Sequence, residues 1–244
     1  MPIHIDWDRT GLPAIPHDYR GPLIAFAVAL ALALVARFMR SGWLAAAVGG
    51  AGVVAGWYAI TGRLWVTSPR PSADHLPLVA AVTLIIGVLC VRLDRNRGAL
   101  PGLILAAAFT GWWLCGAPRN RPDLLQEWPI GLGVGVAVAL YARSLATDAP
   151  DLLRLAPLRL ALTGLTMAAS FHIVMLPPIW IELALVPTCA SLALFALPAI
   201  SGLAALPVAA DIAAVGSLAV IDVGRLPHLR VGAVDIAAVA PLLA

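Results

Sequence analysis

Residues 22–61, PLIAFAVALALALVARFMRSGWLAAAVGGAGVVAGWYAIT, decide how this chain is built. Two apolar runs, Pro22–Val35 and Trp43–Thr61, flank a short turn whose charged residues are Arg37 and Arg40. With its flanking residues, each run reaches the roughly 20 residues that a helix needs to cross about 30 Å of hydrocarbon. Arg37 has an alkyl stem long enough to carry its guanidinium back to an interface. The stretch reads as a helical hairpin in a membrane.

The rest of the chain repeats the pattern. Apolar runs follow at Leu76–Val91, Ala99–Gly116, Pro129–Ala142, Leu160–Leu176, Ile179–Ile200 and Gly202–Ile221, separated by short segments rich in Arg, Pro and Trp. The chain is 61% hydrophobic and 12% charged, with a mean hydropathy of +0.92, whereas ordinary soluble domains are about 25% charged. The expected fold is an all-α integral membrane protein of about eight transmembrane helices, with seven and nine as the neighbouring counts. Residues 1–21 form an N-terminal extramembrane segment. They carry Asp6, Asp8 and Asp18 and lack the basic start of a signal peptide, so the first run is expected to be kept. Residues 22–244 form one polytopic domain, ending in an apolar tail, 231–244, that is either a short span, an interfacial segment or a packed tail.

The hairpins resemble one another. Without gaps, Arg37 aligns with Arg92, Arg40 with Arg95, Gly56 with Gly111 and Trp57 with Trp112, an offset of 55 residues. Tandem hairpins are therefore expected at 22–61 and 76–116, with a third at 129–176 and a fourth at 179–221. A two-helix unit keeps every copy in the same orientation, unlike an inverted repeat. The Gly-rich stretches Gly49–Gly56 and Gly131–Gly135 suit close helix packing.

All 16 basic residues are arginine. Without lysine the chain cannot form a retinal or pyridoxal Schiff base, nor a phosphate-binding loop of the Walker type. The turns after the first, third and fifth runs hold eight arginines and the opposite side also holds eight, so the total does not orient the protein. Arg37, Arg40, Arg92, Arg95, Arg97 and Arg143 crowd short turns or helix ends, where the positive-inside bias acts most strongly. That places those turns in the cytoplasm and the N-terminus outside, in a bacterial inner membrane.

On this topology most of the other ionisable residues fall on the outer face. Arg63, Arg70, Asp74 and His75 occupy one loop, and Arg119, Arg121, Asp123 and Glu127 the next. His172 and Glu182 join them across Pro177-Pro178. Guanidinium groups in such a rim hold an anionic headgroup or phosphate, while the carboxylates and histidines orient it or exchange protons. The plainer alternative is a solvated surface whose Arg and Trp residues anchor the helices. A second candidate lies within the apolar runs. Asp211 sits near the middle of the run 202–221, and its pentad Asp211-Ile-Ala-Ala-Val215 recurs as Asp235-Ile-Ala-Ala-Val239. Charges inside apolar helices are costly and usually functional, so these two acids are candidates for proton or cation handling.

Arg63-x6-Arg70-Pro71 followed by Ser72 and His75 resembles, over 13 residues, the first signatures of the type 2 phosphatidic acid phosphatase family. That family has lysine where Arg63 stands and a compact Pro-Ser-Gly-His where Pro71–His75 runs. The downstream histidine is also missing, so the match is taken as chance. A Ser201/His228 pair of rhomboid type fails because the topology puts the two at opposite ends of helices. Cys90, Cys115 and Cys189 stand singly, and the five histidines are dispersed, so no metal site and no cofactor are expected. The function expected is that of a non-enzymatic transporter of a small solute or lipid, or the membrane subunit of a larger complex. An enzyme acting on a lipid-linked phosphate or sugar at the outer face is one alternative, and proton or cation translocation is another. The expected partners are the lipid bilayer and further membrane subunits or a second copy; nucleic acid is not expected.

Overall fold

In the helix Arg20–Met39 (α1) every buried residue is small or is proline: Gly21, Pro22, Ala25, Ala29, Ala33 and Ala36. The large residues Leu23, Val28, Leu34, Val35 and Phe38 face outward, Phe38 at 90% exposure. A water-soluble helix would bury these side chains. The inverted order suits a solvent of hydrocarbon, where large apolar groups lose nothing by facing out and small ones let backbones approach. A computed structural model describes residues 19–64, 72–92, 150–173, 176–197 and 202–224.

Those residues form six α-helices and no strand. After α1 come α2 (Gly42–Thr61), α3 (Leu76–Arg92), α4 (Pro150–Ile173), α5 (Pro178–Ala193) and α6 (Gly202–Gly224), with 3-10 turns at Ser72–His75 and Leu194–Ala196. Among the described residues three helical segments are long and apolar enough to cross a membrane, namely Arg20–Met39, Gly42–Thr61 and Pro178–Ala196. The expected runs at 99–116 and 129–142, the tail 231–244 and most of the second hairpin lie outside the described residues. Helix α4 begins ten residues before the run read at Leu160. Asp151, Arg154, Pro157 and Arg159 interrupt the hydropathy there without interrupting the helix.

Local chemistry sets the helix ends. Arg40 takes a left-handed conformation (φ 51°) that stops α1, and the Ser41 amide donates back to the Ala36 carbonyl at 3.2 Å. Gly62 (φ 69°) ends α2 in the same way, its amide 2.7 Å from the Tyr58 carbonyl. Pro178 opens α5 at a position where a missing N–H costs nothing.

Helix α2 packs against α1, α3, α5 and α6. A Cβ on Gly52 would stand 2.7 Å from the Ala25 carbonyl oxygen, and one on Gly56 would stand 2.7 Å from Val186 and 2.9 Å from the Gly21 carbonyl oxygen. The two carbonyl contacts are with backbone that no side-chain movement can vacate, so glycine is required at both places. Between α4 and α5 the equivalent contact is Gly164 against the Thr188 side chain. About two turns along the same pair of helices, Phe171 and Trp180 meet edge to face, with ring centroids 6.4 Å apart.

One turn beyond this close approach, the buried Trp57 indole donates its Nε1–H to the Leu183 carbonyl at 3.1 Å. That carbonyl lies four residues before Pro187, which sits inside α5 and has no N–H to complete the helical bond. Trp57 therefore satisfies, from a neighbouring helix, the acceptor that proline leaves open. Trp57→Phe should destabilise the protein by about 1–3 kcal/mol, the cost of a buried orphan carbonyl. In a Pro187→Ala background, which supplies the missing N–H, the same substitution should cost markedly less. A double-mutant cycle of unfolding free energies in detergent micelles checks this.

Candidate functional site

Among the described residues six polar side chains are buried: His75, Thr83, Thr163, Thr188, Ser191 and Asp211. All four buried hydroxyls bond back to their own helices, as apolar surroundings demand. Thr163 donates to the Arg159 carbonyl at 2.8 Å, Thr188 to Ala184 at 2.8 Å and Ser191 to Thr188 at 2.6 Å. His75, Thr83 and Asp211 lie on α6, on α3 or in the turn that leads into α3.

Helix α6 is the most enclosed of the described helices. From Pro207 to Val215 every residue is buried, because α2, α3, α4 and α5 all pack against it. Alanine and valine supply most of that surface, and Asp211 stands among them at 0% exposure. An aspartate stem is too short to reach an interface from there. The Asp211 carboxyl instead meets α3, where Thr83 Oγ1 lies 3.0 Å from its Oδ1. The same hydroxyl oxygen lies 2.9 Å from the Ala80 carbonyl. Asp211 Oδ2 has no hydrogen-bond partner among the described residues.

His75 precedes α3 by one residue and is 2% exposed. Positions 75, 79 and 83 recur at the four-residue spacing of one helix face, so His75, Val79 and Thr83 share a buried stripe. Two turns separate His75 from Thr83, about 12 Å along the axis. Helix α6 also packs on the Ser72–His75 turn, so His75 and Asp211 belong to the same α3–α6 seam.

The rim read from the sequence is gathered only in part. Arg63, just past α2, is exposed, Asp74 is half-buried, His75 is buried, His172 is exposed and Glu182 is half-buried. The Trp57–Leu183 bond and the Phe171–Trp180 contact bring the last turns of α2 and α4 to the same end of the bundle as the start of α5. Arg70, Arg119, Arg121, Asp123, Glu127 and Asp235 lie outside the described residues, as do Ser201 and His228. Among the described residues no group of three or more His, Cys, Asp or Glu side chains can hold a metal ion. Cys189 is a free, half-buried thiol.

Thr83 escaped the sequence reading. It is one threonine among several in apolar runs, and nothing in its spacing marks it as the partner of a residue 128 positions away. The chain matches no protein-family model, and neither the curated proteins nor the solved structures include a similar chain.

Burial pushes the His75 imidazole below its usual value near 6.5, and the Asp74 carboxylate opposes that shift. An unfolded chain therefore takes up a proton at His75 before the folded protein does. The stability from a neutral His75 is full above about pH 6.5 and is lost as pH falls below that value. Unfolding in detergent micelles should show stability declining as pH falls below about 6.5, and His75→Gln should flatten the decline.

Proposed function

We propose that the chain is a multi-pass protein of the bacterial inner membrane, with about eight spans and its N-terminus outside, that carries a small solute or lipid across the bilayer. The observation that carries this reading is Asp211, a carboxyl fully buried near the middle of α6, with one oxygen committed to Thr83 and the other without a hydrogen-bond partner among the described residues. Buried polar atoms are normally hydrogen-bonded, and an ionisable residue within an apolar membrane helix is by default a candidate for handling a ligand or a proton. Coupling of transport to proton or cation movement through Asp211 follows. The absence of a catalytic constellation in the sequence supports a non-enzymatic role. The outward-facing Leu23, Leu34 and Phe38 of α1 suit contact with lipid or with another membrane subunit.

The topology has a direct test. Single-cysteine variants at Ser72, Asn96 and Asn120 should label with a membrane-impermeant reagent at 72 and 120 and not at 96 in intact cells. Labelling at 96 alone would invert the orientation.

Translocation is tested in proteoliposomes with an enclosed pH-sensitive dye and an imposed potassium diffusion potential. Wild-type protein should acidify the lumen at least several-fold faster than empty liposomes, and Asp211→Asn should reduce the rate to the empty-liposome level. The variant must elute as a single species with unchanged helical circular dichroism. Equal rates for the variant and the wild type would remove Asp211 from the mechanism.

A further inference from the structure

We infer that the ligand of the Asp211 site is a proton, and that Thr83 is the hydroxyl whose hydrogen changes partner when that proton binds or leaves. The inference rests on the reading of Asp211 as the functional centre and names what it takes.

A hydrogen count carries it. Thr83 Oγ1 lies within bonding distance of two acceptors, the Ala80 carbonyl at 2.9 Å and Asp211 Oδ1 at 3.0 Å. A threonine hydroxyl has one hydrogen to donate and two lone pairs to accept with. With Asp211 ionised, that hydrogen must leave Ala80 for Oδ1, and the carboxylate then holds a full charge against a single donor, with Oδ2 unserved. With Asp211 protonated, its O–H donates to Thr83 Oγ1 and the Thr83 O–H donates to the Ala80 carbonyl. Every hydrogen then has an acceptor, and the remaining deficit is a neutral carbonyl oxygen rather than a buried charge. A neutral polar group costs far less to hold in an apolar interior than an unpaired ion.

Among the described residues the surroundings show no other side chain that offsets a charge on Asp211. Of the helices packed on α6, α2 presents Tyr58 at its exposed end, α3 is preceded by His75, α4 carries the half-buried Arg159 and the exposed His172, and α5 carries Glu182 and Cys189. Among the described residues the side chain that acts on Asp211 is Thr83. A hard metal cation needs about six oxygen ligands. Among the described residues the site gathers two carboxylate oxygens, one hydroxyl and one carbonyl, and the Ala80 carbonyl is already engaged.

Loss of the proton is then a defined step. The Asp211 O–H bond breaks and the proton leaves for water. The Thr83 hydrogen swings from the Ala80 carbonyl to Asp211 Oδ1, and reprotonation reverses both moves.

Infrared difference spectroscopy of the protein in lipid vesicles tests this without any transport assay. Near neutral pH the wild type should show the C=O stretch of a protonated, hydrogen-bonded carboxyl that Asp211→Asn lacks. Thr83→Val should move the band to higher frequency, and Thr83→Ser should leave it in place. If the amide variant does not fold, Asp211→Glu serves instead, and the band should shift. No protonated-carboxyl band in the wild type would overturn the inference even if the vesicles carry flux. Loss of the band when sodium chloride replaces choline chloride would also overturn it, since a metal cation would then displace the proton. A band that behaves as expected in a protein without flux keeps the proton site and removes the translocation reading.

Discussion

Everything described in this bundle depends on how closely helix backbones approach at α2. Between helices in hydrocarbon there is little hydrophobic drive, since lipid solvates leucine as well as a neighbouring helix does. Attraction comes from dispersion and from hydrogen bonds, and both require short distances. Gly52 and Gly56 bring α2 against the Ala25 and Gly21 carbonyls of α1 and against Ala190 and Val186 of α5. With the backbones that close, the Trp57 indole reaches the Leu183 carbonyl that Pro187 leaves open. The proline and the tryptophan are thus one unit spread over two helices, and the small residues are what allow it to form.

The polar inventory follows from the same solvent. A buried hydroxyl in an α-helix finds an acceptor one turn back, as Thr163 and Thr188 do. Aspartate has no such local solution, because it needs donors and the helix offers only spent ones. Asp211 must look across to another helix, and it finds a single hydroxyl that already has an acceptor of its own. Among the described residues, Asp211 Oδ2 is a buried carboxyl oxygen without a hydrogen-bond partner, an uncommon arrangement in a protein interior. The α3–α6 seam, with His75 at one end and Asp211 within it, is therefore where function is best sought.

Much of the fold was legible in the sequence. Hydropathy located the helices α1, α2, α3, α5 and α6, because length and apolarity are properties of contiguous residues and need no partner. Helix α4 was read too short, since Pro157 and the charged residues around it break an apolar run while the backbone continues. The rim was legible as a list of ionisable residues, but their separate fates were not. His75 belongs to a buried stripe, whereas His172 and Arg63 stay exposed, and burial is decided by which neighbour covers a residue. Asp211 was visible from its setting alone: an acid in the middle of an apolar run is conspicuous whatever surrounds it.

By itself, then, the sequence determined a helical, apolar chain with an acid set into one of its runs, all of which follow from composition and local order. Tertiary structure decided that Gly56 meets Gly21, that Trp57 completes α5, and that Thr83 is the group Asp211 faces. The reason is distance along the chain: 126 residues separate Trp57 from Leu183 and 128 separate Thr83 from Asp211. Helices of similar apolar composition can pair in many ways, and only the shapes of their packed surfaces select which ones meet.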